Sequence, residues 1–296
     1  MNLRGQGIAL TTPFTDQLTI DQQALRAQVE HLNNAGVDYL VVLGTTAETA
    51  TLTPEEKQQV ATLVSEQTAG RIPLVLGMGG NNTAEVLETF KTFDLLDYQA
   101  LLTVCPYYNK PSQEGIFQHF EALAMAAPLP LVLYNVPSRT GVDIAVETVF
   151  RLVEKCPNII GIKEATSDFE KVQQLLRHSP SYFQVVSGDD SLALPTLLAG
   201  GVGVISVIGN ALPQQFGELI YHGLNHRVSQ AYSIQYALLD LIKLLFKEGN
   251  PTGIKALLSF LNLGSARLRL PLVTASEKLQ QQIAHEYTIL NTLQMG

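Results

Sequence analysis

Short apolar, β-branched runs bounded by turn residues recur along this chain at 7–13, 38–44, 73–78, 100–105, 130–135, 159–163, 183–187 and 202–208. Runs this short and this apolar predict strands covered on both faces, because a half-exposed strand alternates apolar with polar positions. The segments between them carry helical periodicity and readable starts. Thr53-Pro54-Glu55-Glu56 offers an N-cap hydroxyl, a proline at the first helical position and a glutamate three residues after the cap. Ser167 followed by Glu170 repeats that pattern. Strand and helix alternating eight times without a break in composition predict an α/β fold, a (β/α)8 TIM barrel over residues 1–224, with a doubly wound open sheet as its main rival. Further on, apolar spacing predicts helices over 227–247, 252–263 and 276–293, a C-terminal helical extension (225–296) packed on the barrel or against a neighbouring chain.

Composition narrows the chemistry. A formal charge of -8 gives no electrostatic footprint for nucleic acid, and the Lys and Arg residues are scattered, so no nucleic-acid partner is expected. The opening Met1-Asn2-Leu3-Arg4-Gly5-Gln6-Gly7 lacks the apolar core of a signal peptide, and Gly, Pro or polar residues break every long apolar stretch. A soluble, cytoplasmic protein without membrane contact is expected. Cys105 and Cys156 are too few for a disulfide framework and have no CxxC spacing, so both read as reduced packing residues. No HExxH or comparable cluster appears among the six histidines, and no metal site is expected. Gly77-Met78-Gly79-Gly80-Asn81-Asn82 lacks the GxGxxG spacing of a dinucleotide site.

One lysine stands out. Lys163 lies inside Ile159-Ile160-Gly161-Ile162-Lys163-Glu164-Ala165, where an ammonium is costly to bury unless something uses or neutralises it. Desolvation favours a neutral amine, and a neutral amine attacks a carbonyl to form an imine. The ordinary alternative is a strand-end lysine that snorkels to water. Barrel active sites sit at the C-terminal ends of the strands, and these ends are polar here. Strand two ends in Gly44-Thr45-Thr46-Ala47-Glu48, whose hydroxyls and amides suit a small carboxylate, although a turn into a capped helix also uses the glycine. Strand four ends in Cys105-Pro106-Tyr107-Tyr108-Asn109-Lys110-Pro111, where adjacent tyrosines point different ways, one free to face the site and the other an interface. Strand five ends in Tyr134-Asn135-Val136-Pro137-Ser138-Arg139-Thr140-Gly141, a phenol at the mouth followed by a guanidinium that suits a carboxylate or a surface ion pair. Strands seven and eight add Ser187-Gly188-Asp189-Asp190 and Gly203-Val204-Ile205-Ser206. An imine-forming lysine, a phenol, hydroxyls and positive charge make up the parts of a class I aldolase, in which the imine serves as the electron sink.

Taken in order, the strand-two, strand-four, strand-five and strand-six motifs resemble the dihydrodipicolinate synthase family. The similarity runs on through the late Asn250-Pro251 and Leu268-Arg269-Leu270-Pro271 segments and covers nearly the whole chain. The resemblance implies condensation of pyruvate with aspartate semialdehyde on the route to lysine and diaminopimelate, through a covalent lysine imine and with no cofactor. It implies that Lys163 forms the imine and that Tyr134, Thr45 and Tyr108 relay protons, with Tyr108 reaching in from a partner subunit. Thr46 would hold the pyruvate carboxylate and Arg139 that of the semialdehyde, while Gly188 and the Ile205 carbonyl would lie near the reacting centre. At least a dimer follows, and family members are commonly tetramers built as a pair of tight dimers.

Two departures from the family pattern bear on function. Ala47 stands where glycine is usual, and activity is expected to survive the added methyl. Lysine-sensitive members use an interface pocket; here Asn81, Glu85 and Tyr107 match it, but the serine is Thr49 and the histidine positions are Pro54 and Lys57. A cation at Lys57 opposes a cationic effector, so weak or absent lysine inhibition is expected. N-acetylneuraminate lyase and the 2-keto-3-deoxy sugar-acid aldolases share the lysine and tyrosine, but Arg139 argues against them. A catalytically silent binding barrel is the rival of another class, against which Lys163, Tyr134, Thr45 and Arg139 together speak.

Overall fold

The structure, a computed structural model, describes residues 1–294. Eight parallel strands close into a barrel in chain order, each joined to the next through helix. The first half runs β1 (Gly5–Ala9), α1 (Gln22–Ala35), β2 (Tyr39–Val42), α2 (Pro54–Thr68), β3 (Leu74–Gly77), α3 (Thr83–Thr92), β4 (Tyr98–Val104) and α4 (Gln113–Ala126). The second half runs β5 (Leu131–Asn135), the single turn α5 (Pro137–Thr140), α6 (Val146–Lys155), β6 (Ile159–Glu164), α7 (Phe169–His178), β7 (Gln184–Ser187), α8 (Ala193–Leu198), β8 (Gly203–Ser206) and α9 (Pro213–Leu224). Then come α10 (Val228–Phe246), α11 (Thr252–Phe260) and α12 (Glu277–Gln294), the three helices expected at the C-terminal end.

Alternation along each strand divides the core. Tyr39 and Val41 of β2 point into the lumen with Val75, Val132, Tyr134 and Ile205, while Leu40 and Val42 face the helices and meet Leu25, Val29 and Leu32 of α1. A fully buried aliphatic side chain is worth about 1.5–3 kcal/mol, which is why the strands read as continuous apolar runs. Gly7 makes room for the Tyr39 ring, since a Cβ there would lie 2.2 Å from a ring carbon. The C-terminal helices share one apolar cluster with the end of the barrel wall, from Leu194 and Phe216 through Leu238 and Leu257 to Leu279 and Leu290.

Two local expectations shift. The first strand ends at Ala9 rather than residue 13 and begins two residues early, because the Asp38 carboxylate accepts from the Gln6 amide (2.6 Å) and Gly5 donates to the Val202 carbonyl (3.0 Å). Pro13 has no amide to extend the ladder. Helix α7 is capped by Asp168, which accepts from the Lys171 amide (3.2 Å), rather than by Ser167. The capping box at Thr53 and Glu56 forms in both directions, at 3.0 and 3.2 Å.

Candidate active site

Adjacent parallel strands set the central pair. Tyr134 on β5 and Lys163 on β6 are register partners, both 6% exposed, and Lys163 Nζ lies 4.4 Å from the centre of the Tyr134 ring. The Tyr134 hydroxyl meets the Thr45 hydroxyl at 3.5 Å across the barrel mouth. Three lysines are buried among the described residues. Lys171 pairs with Asp143 and Glu164, and Lys255 pairs with Glu48; Lys163 has no carboxylate partner. Burying an amine without a counter-ion is costly, which makes this lysine the candidate for chemistry at the site. Gly188, after β7, keeps the space clear: a Cβ there would lie 2.8 Å from Lys163 Cε.

Beyond β2 the chain folds into two abutting 3-10 turns, Thr45–Ala47 and Thr49–Thr51, joined by Glu48 in the left-handed region (φ 54°). The first turn bonds Ala47 to Gly44 and Glu48 to Thr45, which leaves the Thr45 and Thr46 amides at its open end without intrahelical partners. Thr46 is buried and its hydroxyl oxygen accepts from Asn250 Nδ2 at 2.9 Å. Arg139 in α5 donates to the Asn250 carbonyl (3.4 Å). Ile205 sits mid-β8 with its side chain among the lumen residues beside Tyr134. Tyr108 is not brought to this site: it is 88% exposed, at φ 73°, with its amide on the Thr140 carbonyl (3.4 Å).

Behind the strand ends lie charged groups to which the sequence assigns no role. Glu164 follows Lys163 but points to the other face. It accepts from Asn135 Nδ2 (2.8 and 2.9 Å) and from Lys171 (3.3 Å), with Asp143 completing the cluster. Burial pushes its carboxyl up to about 7, against the pull of Lys171 and Asn135. Asp190 accepts from the Val207 and Ile208 amides (3.1 and 2.9 Å) and so fixes the loop that follows Ile205; burial raises its carboxyl to about 6. The Cys105 thiol is pushed up to about 12, mainly by burial, which keeps it a thiol and fits a packing role. No group of three His, Cys, Asp or Glu side chains that could hold a metal ion occurs among the described residues. No helix among them is long and apolar enough to cross a membrane.

A cavity of about 520 Å³ opens from the Thr45, Tyr134 and Arg139 mouth and runs outward past Thr49, Lys57 and Tyr107. Thr49, Tyr107 and Lys57 of the expected effector set thus line one space. Asn81 is tied to its wall by a bond to the Tyr107 carbonyl (3.1 Å). Glu85 and Pro54 sit in the first turns of α3 and α2 and are not among the lining residues. The Thr49 hydroxyl spends its proton on the Leu43 and Gly44 carbonyls (2.9 and 2.8 Å).

A closed parallel barrel with an unpaired amine, a phenol and a hydroxyl at its C-terminal rim defines a barrel of the lysine-dependent aldolase class. Comparison with known proteins narrows this. A model of the dihydrodipicolinate synthetase family matches residues 2–289, and the chain belongs to that family. The 4-hydroxy-tetrahydrodipicolinate synthase of Flavobacterium psychrophilum is 48% identical over 279 residues, 94% of this chain and 95% of its own. The enzyme of that name from Methylacidiphilum fumariolicum SolV has a structure matching with a TM-score of 0.95 at 39% identity, covering 98% of this chain and 97% of the other. Dihydrodipicolinate synthase from Acinetobacter baumannii, solved in complex with pyruvate, matches at a TM-score of 0.95 and 36% identity, over 98% of this chain and 99% of that one.

Proposed function

We propose that this protein condenses pyruvate with L-aspartate 4-semialdehyde to give 4-hydroxy-tetrahydrodipicolinate, a lyase-type step toward diaminopimelate and lysine. The observation that carries this reading is Lys163, the buried lysine left without a carboxylate and set 4.4 Å over the Tyr134 ring. Its amine attacks the pyruvate carbonyl and, with loss of water, forms an imine. Tyr134 and Thr45, 3.5 Å apart, pass the protons needed to expel that water and to take one from the adjacent methyl. The resulting enamine attacks the semialdehyde. Thr46 holds the pyruvate carboxylate, Arg139 orients that of the second substrate, and Gly188 and the Ile205 carbonyl border the reacting centre. The imine serves as the electron sink, so the mechanism calls on no cofactor.

Tyr108, 88% exposed on its own chain, completes the relay of a neighbouring subunit, which makes the working form a homo-oligomer of at least two chains, a dimer of dimers by family resemblance. The expected compartment is the cytoplasm. The test is steady-state turnover of pyruvate with aspartate semialdehyde, read through a reductase that consumes the cyclised product, beside borohydride trapping of pyruvate. Condensation, with pyruvate trapped on Lys163, is the expected result. Cleavage of N-acetylneuraminate or 2-keto-3-deoxygluconate instead would keep the imine and overturn the substrate assignment.

A further inference from the structure

We propose that Glu48 and Lys255 are positioning residues for this reaction: their buried ion pair fixes the turn that carries Thr45 and Thr46, and so aims the Thr45 hydroxyl at Tyr134. The proposal rests on the reading of Thr45 as part of the proton relay. Four observations lead to it.

First, the pair is out of reach of water, with the Glu48 side chain 0% and the Lys255 side chain 2% exposed. A buried ion pair is often replaceable by apolar side chains without loss of stability, so stability alone does not explain it. Second, Glu48 occupies a left-handed backbone conformation (φ 54°, ψ 35°) in which a residue with a Cβ is strained. Glycine would relieve that strain, and a carboxylate there is explained by what its side chain holds.

Third, the backbone of Glu48 is the joint of the two 3-10 turns. Its amide donates to the Thr45 carbonyl (3.2 Å), and its carbonyl accepts from the Thr51 amide (2.9 Å) and hydroxyl (3.0 Å). Both carboxylate oxygens are engaged, one by Lys255 Nζ and the other by the Arg269 amide at 3.0 Å. Lys255 is held in turn by the Arg267 carbonyl (2.9 Å) and stands 4.2 Å over the Phe14 ring. Burial draws its ammonium down to about 8, against the pull of Glu48.

Fourth, these partners and Asn250, which bonds the Thr46 hydroxyl and the Arg139 side chain, all come from residues 250–269. The turn that carries Thr45 therefore takes its orientation from the C-terminal part of the chain. The Thr45 to Tyr134 contact is 3.5 Å, at the outer edge of a hydrogen bond, so a small rotation of the turn breaks it.

The experiment compares the full-length Glu48→Gln, Lys255→Met and double variants by turnover and thermal unfolding. Borohydride trapping of pyruvate counts the sites able to form the imine. Lys255→Met leaves an uncompensated carboxylate and is expected to lose stability, which the double variant regains by burying no unpaired charge. Turnover per trapped site is expected to stay roughly ten- to a hundred-fold low in both, the scale of a displaced catalytic group. A merely structural pair would change the number of competent sites and leave the rate of each untouched. Wild-type turnover per trapped site in the double variant overturns the proposal. If neither Met variant folds, Glu48→Gln carries the test: it weakens the pair without an apolar replacement, and wild-type turnover per site there overturns the proposal equally. Failure of the wild-type protein to trap pyruvate sinks the functional reading itself, a different result from variants that trap and turn over normally.

Discussion

Lys163 Nζ sits over the face of the Tyr134 ring, 4.4 Å from its centre, while the hydroxyl at the edge of that ring meets Thr45. Face and edge thus have separate neighbours, the face packing against the amine and the edge reaching the hydroxyl that the proposed mechanism uses to move protons. Tyr134→Phe keeps the face and removes the hydroxyl. It is expected to lower kcat by roughly 10²- to 10³-fold, the range of a lost general acid–base group, and to change stability by less than about 1 kcal/mol. Lys163→Ala, by contrast, is expected to abolish borohydride trapping of pyruvate and all turnover above background. Normal turnover by that variant would falsify the imine mechanism.

Gly188→Ala tests the space kept for the lysine stem. Its methyl would lie 2.8 Å from both Lys163 Cε and Ala165 Cβ. The expected cost is about 1–3 kcal/mol of stability by overpacking, with kcat/KM down by roughly 10-fold or more as the amine is displaced. Chemical denaturation and steady-state kinetics check the two parts separately.

Glu164 makes stability depend on pH. Its carboxyl is raised from 4.5 in the unfolded chain to about 7 in the fold, so between those values the folded state holds a proton that the unfolded state has released. Stability is therefore greatest at the low end of that window and falls as pH rises through 7. The groups facing Glu164 are Asn135, Lys171 and Asp143, and removal of its charge leaves their bonds to one another in place. Thermal unfolding of wild type and Glu164→Gln from pH 5 to 8 should show a downward slope that flattens in the variant. Parallel slopes would refute the assignment.

Free lysine is expected to inhibit weakly or not at all. Half-buried Lys57 lines the outward arm of the cavity without an ion-pair partner among the described residues. An ammonium at that position repels a cationic ligand and offers it no acceptor. Half-inhibition of turnover by sub-millimolar lysine contradicts this.

The barrel was legible because each strand is covered on both faces and so reads as an unbroken apolar run, and all eight runs fall on observed strands. Lys163 was legible for the same reason: a charge interrupts such a run. Lys255 gives an equivalent signal in Gly253-Ile254-Lys255-Ala256-Leu257-Leu258, yet a lysine on a helix ordinarily faces water, and its partner Glu48 lies 207 residues away. Glu164 was hidden by adjacency, since it follows Lys163 and points to the opposite face, and Asp190 because nothing local ties it to the Val207 and Ile208 amides it accepts from. Asn250 read as part of a family motif, but nothing local ties it to Thr46, 204 residues earlier. The start of β1 and the cap of α7 were misplaced by one or two residues because Asp38 and Asp168 decide them through side-chain bonds that leave no periodic trace.

Barrel closure by β1 against β8 also sets an order of events during synthesis. Gly5 pairs with Gly203, so the first strand leaves the ribosome long before its second neighbour exists and waits with one edge open. The residues that reach Glu48, Lys255 and Arg269, are translated later still. A chain interrupted after α9 carries every strand of the barrel, yet its Glu48 carboxylate has neither Lys255 nor the Arg269 amide to meet it. The turn that carries Thr45 and Thr46 is thus among the first parts of the rim to be made and among the last to be fastened.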